Sequence, residues 1–255
     1  MSITVLQEQI RHKKTPVALG LSPELEKIPA KIRRNFTEMY GESVMAAAEA
    51  LRYHGCQVLD AAAERLPAVV LDASAYLRFG AMGFDVLANL VGAAKARGLY
   101  TIVDSRGAEA GTWLAAIPQA DAVTALPYLG GDACAAGEDK AVFALVTTDN
   151  DSASDIQRLI AGDRKLFLAA AEQLVRRGAG IALESGYALD IRDLRRRLDK
   201  AFLLLTHCMA RAASVAFDDY GHGALLVDGA IQYAEDMPAA VEQAIADMKE
   251  WVSVV

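Results

Sequence analysis

The chain has 255 residues, of which 53% are hydrophobic, and its formal net charge is −7. That content suffices for the buried core of one large domain or two small ones, and the acidic charge disfavours nucleic acid, whose phosphates it repels. The three cysteines are widely spaced, and no apolar run has the length of a signal peptide or a membrane span. We therefore expect a soluble cytoplasmic protein with reduced thiols and no membrane partner.

Short apolar runs alternate with longer segments of helical period, after a short helical extension at residues 1–14. The runs are apolar on both faces, which is typical of parallel strands covered on both sides. The predicted strands are 16–21, 67–73, 99–104, 121–126, 141–147, 180–185, 201–207 and 223–229. The predicted helices are 35–65, 83–97, 107–117, 152–159, 164–177, 190–198 and 238–252. Ser152 and Asp190 are predicted helix N-caps, and Gly98 and Gly178 are predicted helix ends.

Eight strands with helices between them, and no linker rich in Gly, Ser or Pro, predict an α/β protein with a single (β/α)8 TIM barrel over residues 1–255. An open doubly wound sheet is the main alternative. It predicts a GxGxxG turn after an early strand, and the sequence contains none. In a barrel, the active site lies where the carboxyl ends of the strands meet the loops.

The predicted strand that ends near Asp104 is followed at once by Arg106 and Glu109, in the string IVDSRGAEAGT (102–112). Two acids and a base at the end of a buried strand are typical of an active site. They are equally typical of an ion pair that closes a barrel mouth or a dimer interface. Both interpretations stay open at this point.

Five segments in chain order resemble the orotidine 5′-phosphate decarboxylase family, most closely its longer bacterial type. They are VALGLSP (17–23), VDSRGAEAGT (103–112), ADAVTALPYLGGD (120–132), AVFALVTTDNDSASDIQ (141–157) and ALLVDGAIQYA (224–234). The resemblance implies a homodimeric barrel of the ribulose-phosphate-binding type. It also implies conversion of orotidine 5′-phosphate to UMP in pyrimidine biosynthesis, with no metal and no organic cofactor.

The family's third strand ends in Asp-x-Lys-x-x-Asp, in which carboxylates crowd the substrate carboxylate and the lysine protonates the carbon left behind. Here Asp104 matches the first Asp, but Arg106 stands at the Lys and Glu109 at the second Asp. A guanidinium, with a pKa above about 12, is a poor proton donor. Glutamate is one methylene longer, and a misplacement of about 1 Å can lower a rate roughly 100-fold.

Four further landmarks of the resemblance differ. Ser22 stands where the family's first strand has an Asp that holds the ribose, and Leu71 aligns with a second-strand Lys that pairs with the third-strand Asp. Asp72 is adjacent to Leu71, but neighbouring strand residues point to opposite faces. The segment 206–214 lacks the glycines of a phosphate loop, and Gly229 replaces an Arg that binds phosphate.

The sequence therefore predicts an orotidine 5′-phosphate decarboxylase-like protein with weak or lost decarboxylase activity. One alternative is a divergent enzyme on another phosphorylated sugar or nucleotide that uses Asp104, Glu109 and Glu184. Another is an active decarboxylase with Arg106 in the lysine role. The candidate catalytic residues are Asp104, Arg106 and Glu109, and the candidate substrate-binding residues are Ser22, Thr147, Ser185 and Gly229. A homodimer and a small phosphorylated ligand are the partners that the resemblance implies.

Two further groups at strand ends have a functional and an ordinary interpretation. His207 and Cys208 are compatible with a Cys nucleophile and a His base, but ordinary packing is favoured because adjacent strand residues diverge. The hydroxyls and carboxylates after the fifth predicted strand are compatible with binding of a sugar or a cation, although loop carboxylates are often simply solvated. They belong to Thr147, Thr148, Asp149 and Asp151. Arg211 is a disfavoured replacement for the arginine that binds phosphate in the family.

Overall fold

A computed structural model describes residues 2–107, 109–137, 139–184 and 188–255. The strands are β1 (Val17–Leu21), β2 (Ala68–Asp72), β3 (Tyr100–Gly107), β4 (Ala122–Ala125), β5 (Ala141–Thr147), β6 (Ile160–Ala161), β7 (Arg164–Lys165), β8 (Gly180–Glu184), β9 (Leu203–Thr206) and β10 (Ala224–Asp228). Eight of them form a closed parallel barrel in the order β1-β10-β9-β8-β5-β4-β3-β2. β6 and β7 form a separate antiparallel hairpin. The predicted (β/α)8 TIM barrel is confirmed.

Helices surround the barrel. They are α1 (Ser2–Lys13), α2 (Ala30–Tyr40), α3 (Val44–Ala62), α4 (Ala73–Leu77), α5 (Gly80–Ala96), α6 (Ala110–Ala116), α7 (Ser154–Gln157), α8 (Leu166–Val175), α9 (Ala188–Arg197), α10 (Ala210–Ala213) and α11 (Met237–Lys249). None of the helices in the described ranges combines the length and the apolar character that crossing a bilayer requires.

Two predicted helices differ in organisation from the prediction, and the bounds of the others shift by one to three residues. The segment 35–65 is two helices, because α2 ends before Gly41 and Ser43 caps α3 by accepting the N–H of Ala46 at 3.2 Å. The segment 164–177 begins as strand β7, and α8 starts only at Leu166. Periodicity alone did not show either break, although Gly41 and Ser43 are a typical helix end and a typical N-cap.

The predicted helix ends are confirmed, but the two predicted N-caps are wrong. Gly98 and Gly178 follow α5 and α8 with φ of 79° and 85°, which is typical of a C-terminal glycine. Asp190 lies inside α9, and its buried carboxylate pairs with an arginine after α7 and a lysine of β7. Ser152 lies in a short 3-10 turn, and α7 begins after it without a side-chain cap.

The PYLGGD segment (127–132) forms a turn in which its two glycines differ. Gly130 has φ of 107°, whereas Gly131 has no positive φ. A Cβ at Gly131 would lie 2.5 Å from Nε of Arg177, so a larger residue there requires the flexible side chain of Arg177 to move. The carbonyl of Asp132 accepts the N–H of Ala135 in a turn, and Asp132 caps no helix.

Each barrel strand contributes alternately to two buried layers. Side chains such as Val70 face the barrel interior, and α1 packs its Leu6 against them. Because Ile3 of α1 approaches Gly180 at the start of β8, α1 covers the N-terminal end of the barrel. Side chains such as Leu71 face outward and pack against the helices. The opposite end, where the strands finish, is the barrel mouth.

Candidate active site

Polar side chains occupy the last inward position at the ends of six barrel strands, a set that we call the mouth ring. Each lies an even number of positions after a side chain of the inner layer, so the strand period of two turns it toward the barrel axis. The ring consists of Ser22, Asp72, Asp104, Thr124, Glu184 and Thr206. It therefore brings three carboxylates and three hydroxyls to one face of the barrel.

Asp104 is the most constrained carboxylate of the ring. It is 6% exposed, accepts a hydrogen bond of 2.6 Å from Oγ1 of Thr124, and has Nε of Arg106 3.4 Å from its Oδ2. Burial raises the pKa of Asp104 above its ordinary value, although both of these contacts act to lower it. Its charge is thus stabilised mainly by one hydroxyl and one guanidinium.

Arg106 crosses the mouth from β3 to β8. The β3–β4 register shifts between Val103 and Gly107, and Arg106 has a φ of 46°, a conformation that L-residues adopt rarely. Its N–H donates to Oγ1 of Thr124 at 3.1 Å, and its Nη2 lies 2.5 Å from Oε1 of Glu184. Burial acts to lower its pKa, but the carboxylates outweigh this effect and the pKa of Arg106 is raised. The guanidinium is therefore held charged between two acids.

Glu184 is 2% exposed, and its Oε2 has no hydrogen-bond partner among the described residues. Burial raises the pKa of Glu184 to about 7, although the guanidinium of Arg106 opposes the shift. The carboxylates of Asp104 and Asp149 add to the effect of burial. A carboxyl group with this pKa can both donate and accept a proton near neutral pH.

A second pair lies beside this centre, where Nδ1 of His207 is 2.5 Å from Oδ2 of Asp149. Burial acts to raise the pKa of Asp149, but the hydrogen bond and charge of His207 outweigh it and the pKa is lowered. The residues that the structure describes include no group of three His, Cys, Asp or Glu side chains arranged to hold a metal ion.

The structure brings together two of the three predicted catalytic residues. Asp104 and Arg106 form an ion pair at the mouth. Glu109 does not join them. It is exposed at the start of α6, where its Oε2 accepts a hydrogen bond from Oγ1 of Thr112 at 3.2 Å. The carboxylate that meets Arg106 is instead Glu184.

The predicted substrate-binding residues do not lie together at the barrel mouth. Ser22 belongs to the mouth ring, where its Oγ donates to Oδ2 of Asp72 at 2.7 Å. Thr147 is buried at the end of β5, and the register, which shifts between Leu145 and Thr147, pairs it with Leu183 of the outer layer. Gly229 is exposed just after β10, with no heavy atom within 4 Å of the place of a Cβ. Ser185 lies outside the described residues.

The predicted orientation of Asp72 is wrong. The β2–β3 register pairs Asp72 with Asp104 and Leu71 with Val103. Leu71 is fully buried in the outer layer, so the residue that faces Asp104 is a second aspartate. The even spacing from Val70 to Asp72 was the signal in the sequence, because Val70 is the inward residue of β2.

A cavity of about 640 Å³ lies where the resemblance places the phosphate, between the ends of β9 and β10 and helix α11. The guanidinium of Arg211 lies over Trp251, 5.7 Å from the ring centroid, and not over Gly229. The acidic residues that line the cavity are Asp228, Asp247 and Glu250. Three carboxylates and one stacked arginine do not provide the donors that a phosphate dianion needs.

The structure favours the packing interpretation of Cys208. Burial raises the pKa of its thiol to about 11, and Sγ lies 3.6 Å from the carbonyl oxygen of Met209. His207, the expected base, is bound to Asp149. Since the thiolate is the nucleophilic form, this thiol is poorly suited to nucleophilic catalysis.

Comparison with known proteins shows similarity of sequence and of fold, although no protein-family model matches the chain. Orotidine 5′-phosphate decarboxylase of Rhodopirellula baltica is 25% identical over 263 residues, covering 88% of this chain and 85% of that protein. The Deinococcus radiodurans enzyme of the same name is 29% identical over 230 residues, covering 77% and 83%. The structure of OMP decarboxylase from Leishmania donovani matches with a TM-score of 0.76 at 25% identity, over 98% of this chain and 97% of that one. Orotidine 5′-monophosphate decarboxylase of Plasmodium berghei matches in fold, with a TM-score of 0.82 at 13% identity over 97% of both chains.

Proposed function

Because the chain is a homologue of the orotidine 5′-phosphate decarboxylases, we propose that it keeps their barrel but has weak or no decarboxylase activity. The observation that carries this proposal is the state of Arg106. Its guanidinium stands at the place of the family's lysine and is held between Asp104 and Glu184. A guanidinium with a raised pKa retains its proton, and a general acid contributes about 10²–10⁴-fold to a rate.

The charge pattern of the mouth ring supports the same proposal. Asp72 faces Asp104 in the register, where the resemblance implies a lysine. Orotidine 5′-phosphate carries a phosphate, and the cavity where the resemblance places that phosphate has three acidic residues and one arginine in its lining. Like charges in a partly desolvated site repel strongly, so binding of this substrate is disfavoured as well as its protonation.

The test is a direct assay of the purified chain, produced in a host that lacks its own orotidine 5′-phosphate decarboxylase. We expect no turnover above the uncatalysed rate. The variant Arg106→Lys should also remain inactive, because Asp72 and Glu184 still surround the new ammonium. A turnover of about 1 s⁻¹ or more in the unmodified chain, which is ordinary for enzymes, would overturn the proposal.

We also propose that the chain forms the homodimer that the resemblance implies. An apolar patch at the turn between α2 and α3 supports this, because Met39, Tyr40, Val44 and Met45 are each between 41% and 66% exposed. No residue of α2 is buried. Patches of this kind commonly mark protein interfaces. Sedimentation velocity should show a dimer, and Met39→Glu should weaken it; a monomer in the unmodified chain excludes the proposal.

A divergent enzyme is the second candidate function, and the properties of Glu184 favour it. Its raised pKa of about 7 and its free Oε2 suit a general acid or base. Glu109 is exposed at the start of α6 and takes no part in the site of this second candidate. Thermal shift against ribulose 5-phosphate, UMP and orotidine 5′-phosphate, each with and without Mg²⁺, tests it. A ligand at 100 times its Kd stabilises a protein by about 2.7 kcal/mol, and no shift with any of them excludes these ligands.

A further inference from the structure

His54 is a titratable residue that lies wholly inside the protein. It is 0% exposed on the buried face of α3, about one turn from Leu51 on one side and from Val58 on the other. Neither ring nitrogen makes a hydrogen bond to a described residue. Burial lowers the pKa of His54 below its ordinary value of 6.5, and the nearby backbone of Gln232 only partly opposes this. The position tolerates a neutral imidazole, whereas an imidazolium there would be a buried charge.

Within the described ranges, the elements packed against α3 offer His54 no counter-ion. They include α2, α5, α11 and the turns Leu25–Lys27 and Ile231–Tyr233, and no charged side chain on them shifts the pKa of His54. The titratable group that faces the imidazole is the phenol of Tyr233, stacked at a centroid distance of 6.5 Å and an interplanar angle of 16°. Nζ of Lys27 lies 5.5 Å from the centroid of the same phenol ring. A proton on His54 would therefore place a second cation near Tyr233 without a carboxylate to balance it.

Tyr233 and its neighbour Gln232 hold the loop that follows β1, through contacts that we call the loop clasp. Oη of Tyr233 accepts the N–H of Glu24 at 2.7 Å and donates to the carbonyl oxygen of Ser22 at 3.1 Å. Oε1 of Gln232 accepts the N–H of Ser22 at 3.2 Å. Ser22 is a member of the mouth ring. The residue that stacks on His54 is thus one of the two that fix the position of Ser22 at the barrel mouth.

We propose that His54 is an acid-sensitive switch, whose protonation opens the loop clasp and releases Ser22 from its place at the barrel mouth. An imidazolium leaves the apolar interior for water, and this movement removes the surface on which Tyr233 packs. In the open state His54 binds a proton near its ordinary pKa of 6.5, and in the closed state it binds one less readily. The closed state is therefore favoured most above pH 6.5 and loses stability as the pH falls below this value. From about pH 7.5 to about pH 5.5, the equilibrium constant for opening should increase about tenfold.

Amide hydrogen exchange on the full chain tests the proposal, because the N–H groups of Ser22 and Glu24 donate to the two side chains of the loop clasp. Protection factors, corrected for the intrinsic pH dependence of exchange, are compared at about pH 7.5 and about pH 5.5. We expect the protection of these two amides to fall about tenfold on acidification. Their exchange should be insensitive to urea below about 1 M, since local opening exposes little surface, whereas exchange in β5 should respond to it. No change with pH, or a dependence on urea as steep as that of β5, would show that the switch does not exist.

Three variants identify the group that titrates. His54→Phe keeps an aromatic ring that cannot be protonated, so the loss of protection in acid should disappear. His12→Phe, on the exposed surface of α1, is the matched control and should respond as the unmodified chain does. Tyr233→Phe lacks the hydroxyl of the loop clasp, so the Glu24 amide should be unprotected at both pH values.

Circular dichroism establishes that each variant is folded. An acid response that persists in folded His54→Phe, or that disappears in His12→Phe, overturns the inference. If His54→Phe does not fold, the pH and urea dependence of the unmodified chain still distinguishes a local switch from global unfolding.

Discussion

The pH dependence of stability should change when the buried carboxyl group of Glu184 is replaced by a neutral amide. In the unfolded chain this group titrates near its ordinary pKa of 4.5, and in the folded barrel near about 7. Between these values the folded protein holds a proton that unfolding releases. Stability due to Glu184 is therefore complete below about pH 4.5 and is lost as the pH rises through 7.

The size of this effect follows from the two pKa values. Each pH unit between 4.5 and about 7 lowers the free energy of unfolding by about 1.4 kcal/mol for one such group. Glu184 is 2% exposed, so solvent screening reduces this little. The difference in unfolding free energy between Glu184→Gln and the unmodified chain should therefore rise by about 2–3 kcal/mol from about pH 5 to about pH 8.

Urea denaturation at several pH values measures this difference. Tryptophan fluorescence and circular dichroism should give coincident transitions, which supports a two-state treatment. Subtracting the two proteins removes the titration of shared groups that lie far from Glu184. A difference that stays constant within about 0.5 kcal/mol across this range would refute the assignment of a raised pKa to Glu184. A difference that falls with pH would reverse the sign of the reasoning.

Two further predictions concern other parts of the chain. Gly83 and Gly92 both lie in α5, but they differ in the space around an added Cβ. A Cβ at Gly83 would be 1.9 Å from the carbonyl oxygen of Tyr76, whereas a Cβ at Gly92 would meet no heavy atom of another part of the chain within 4 Å. In thermal denaturation, Gly83→Ala should destabilise by about 3 kcal/mol or more, whereas Gly92→Ala should stabilise by about 0.5–1 kcal/mol; similar effects at both positions would contradict this packing. Cys208, whose pKa is about 11, should react with a thiol reagent near pH 8 more slowly than free cysteine, and His207→Ala should leave the rate unchanged. A slower reaction in His207→Ala would indicate that the histidine activates the thiol.

The sequence by itself determined the architecture and much of the inherited site. Apolar runs of strand length, alternating with helical segments, indicated a parallel sheet covered on both faces, and the lack of a GxGxxG turn favoured a barrel over an open doubly wound sheet. An ion pair of Asp104 with Arg106 was one of the two interpretations of the string DSR at the end of a predicted strand, and the structure contains this pair. Both features lie within short stretches of the sequence.

The tertiary structure alone decided which side chains of different strands meet. Glu184 reaches Arg106 because β3 and β8 are separated only by β4 and β5 in the barrel, and because a register shift and a positive φ turn Arg106 across the mouth. Asp72 faces Asp104 because the β2–β3 register pairs them, whereas alignment with relatives pointed to Leu71. Register and closure depend on contacts between residues far apart in the chain. No period within a single strand contains that information.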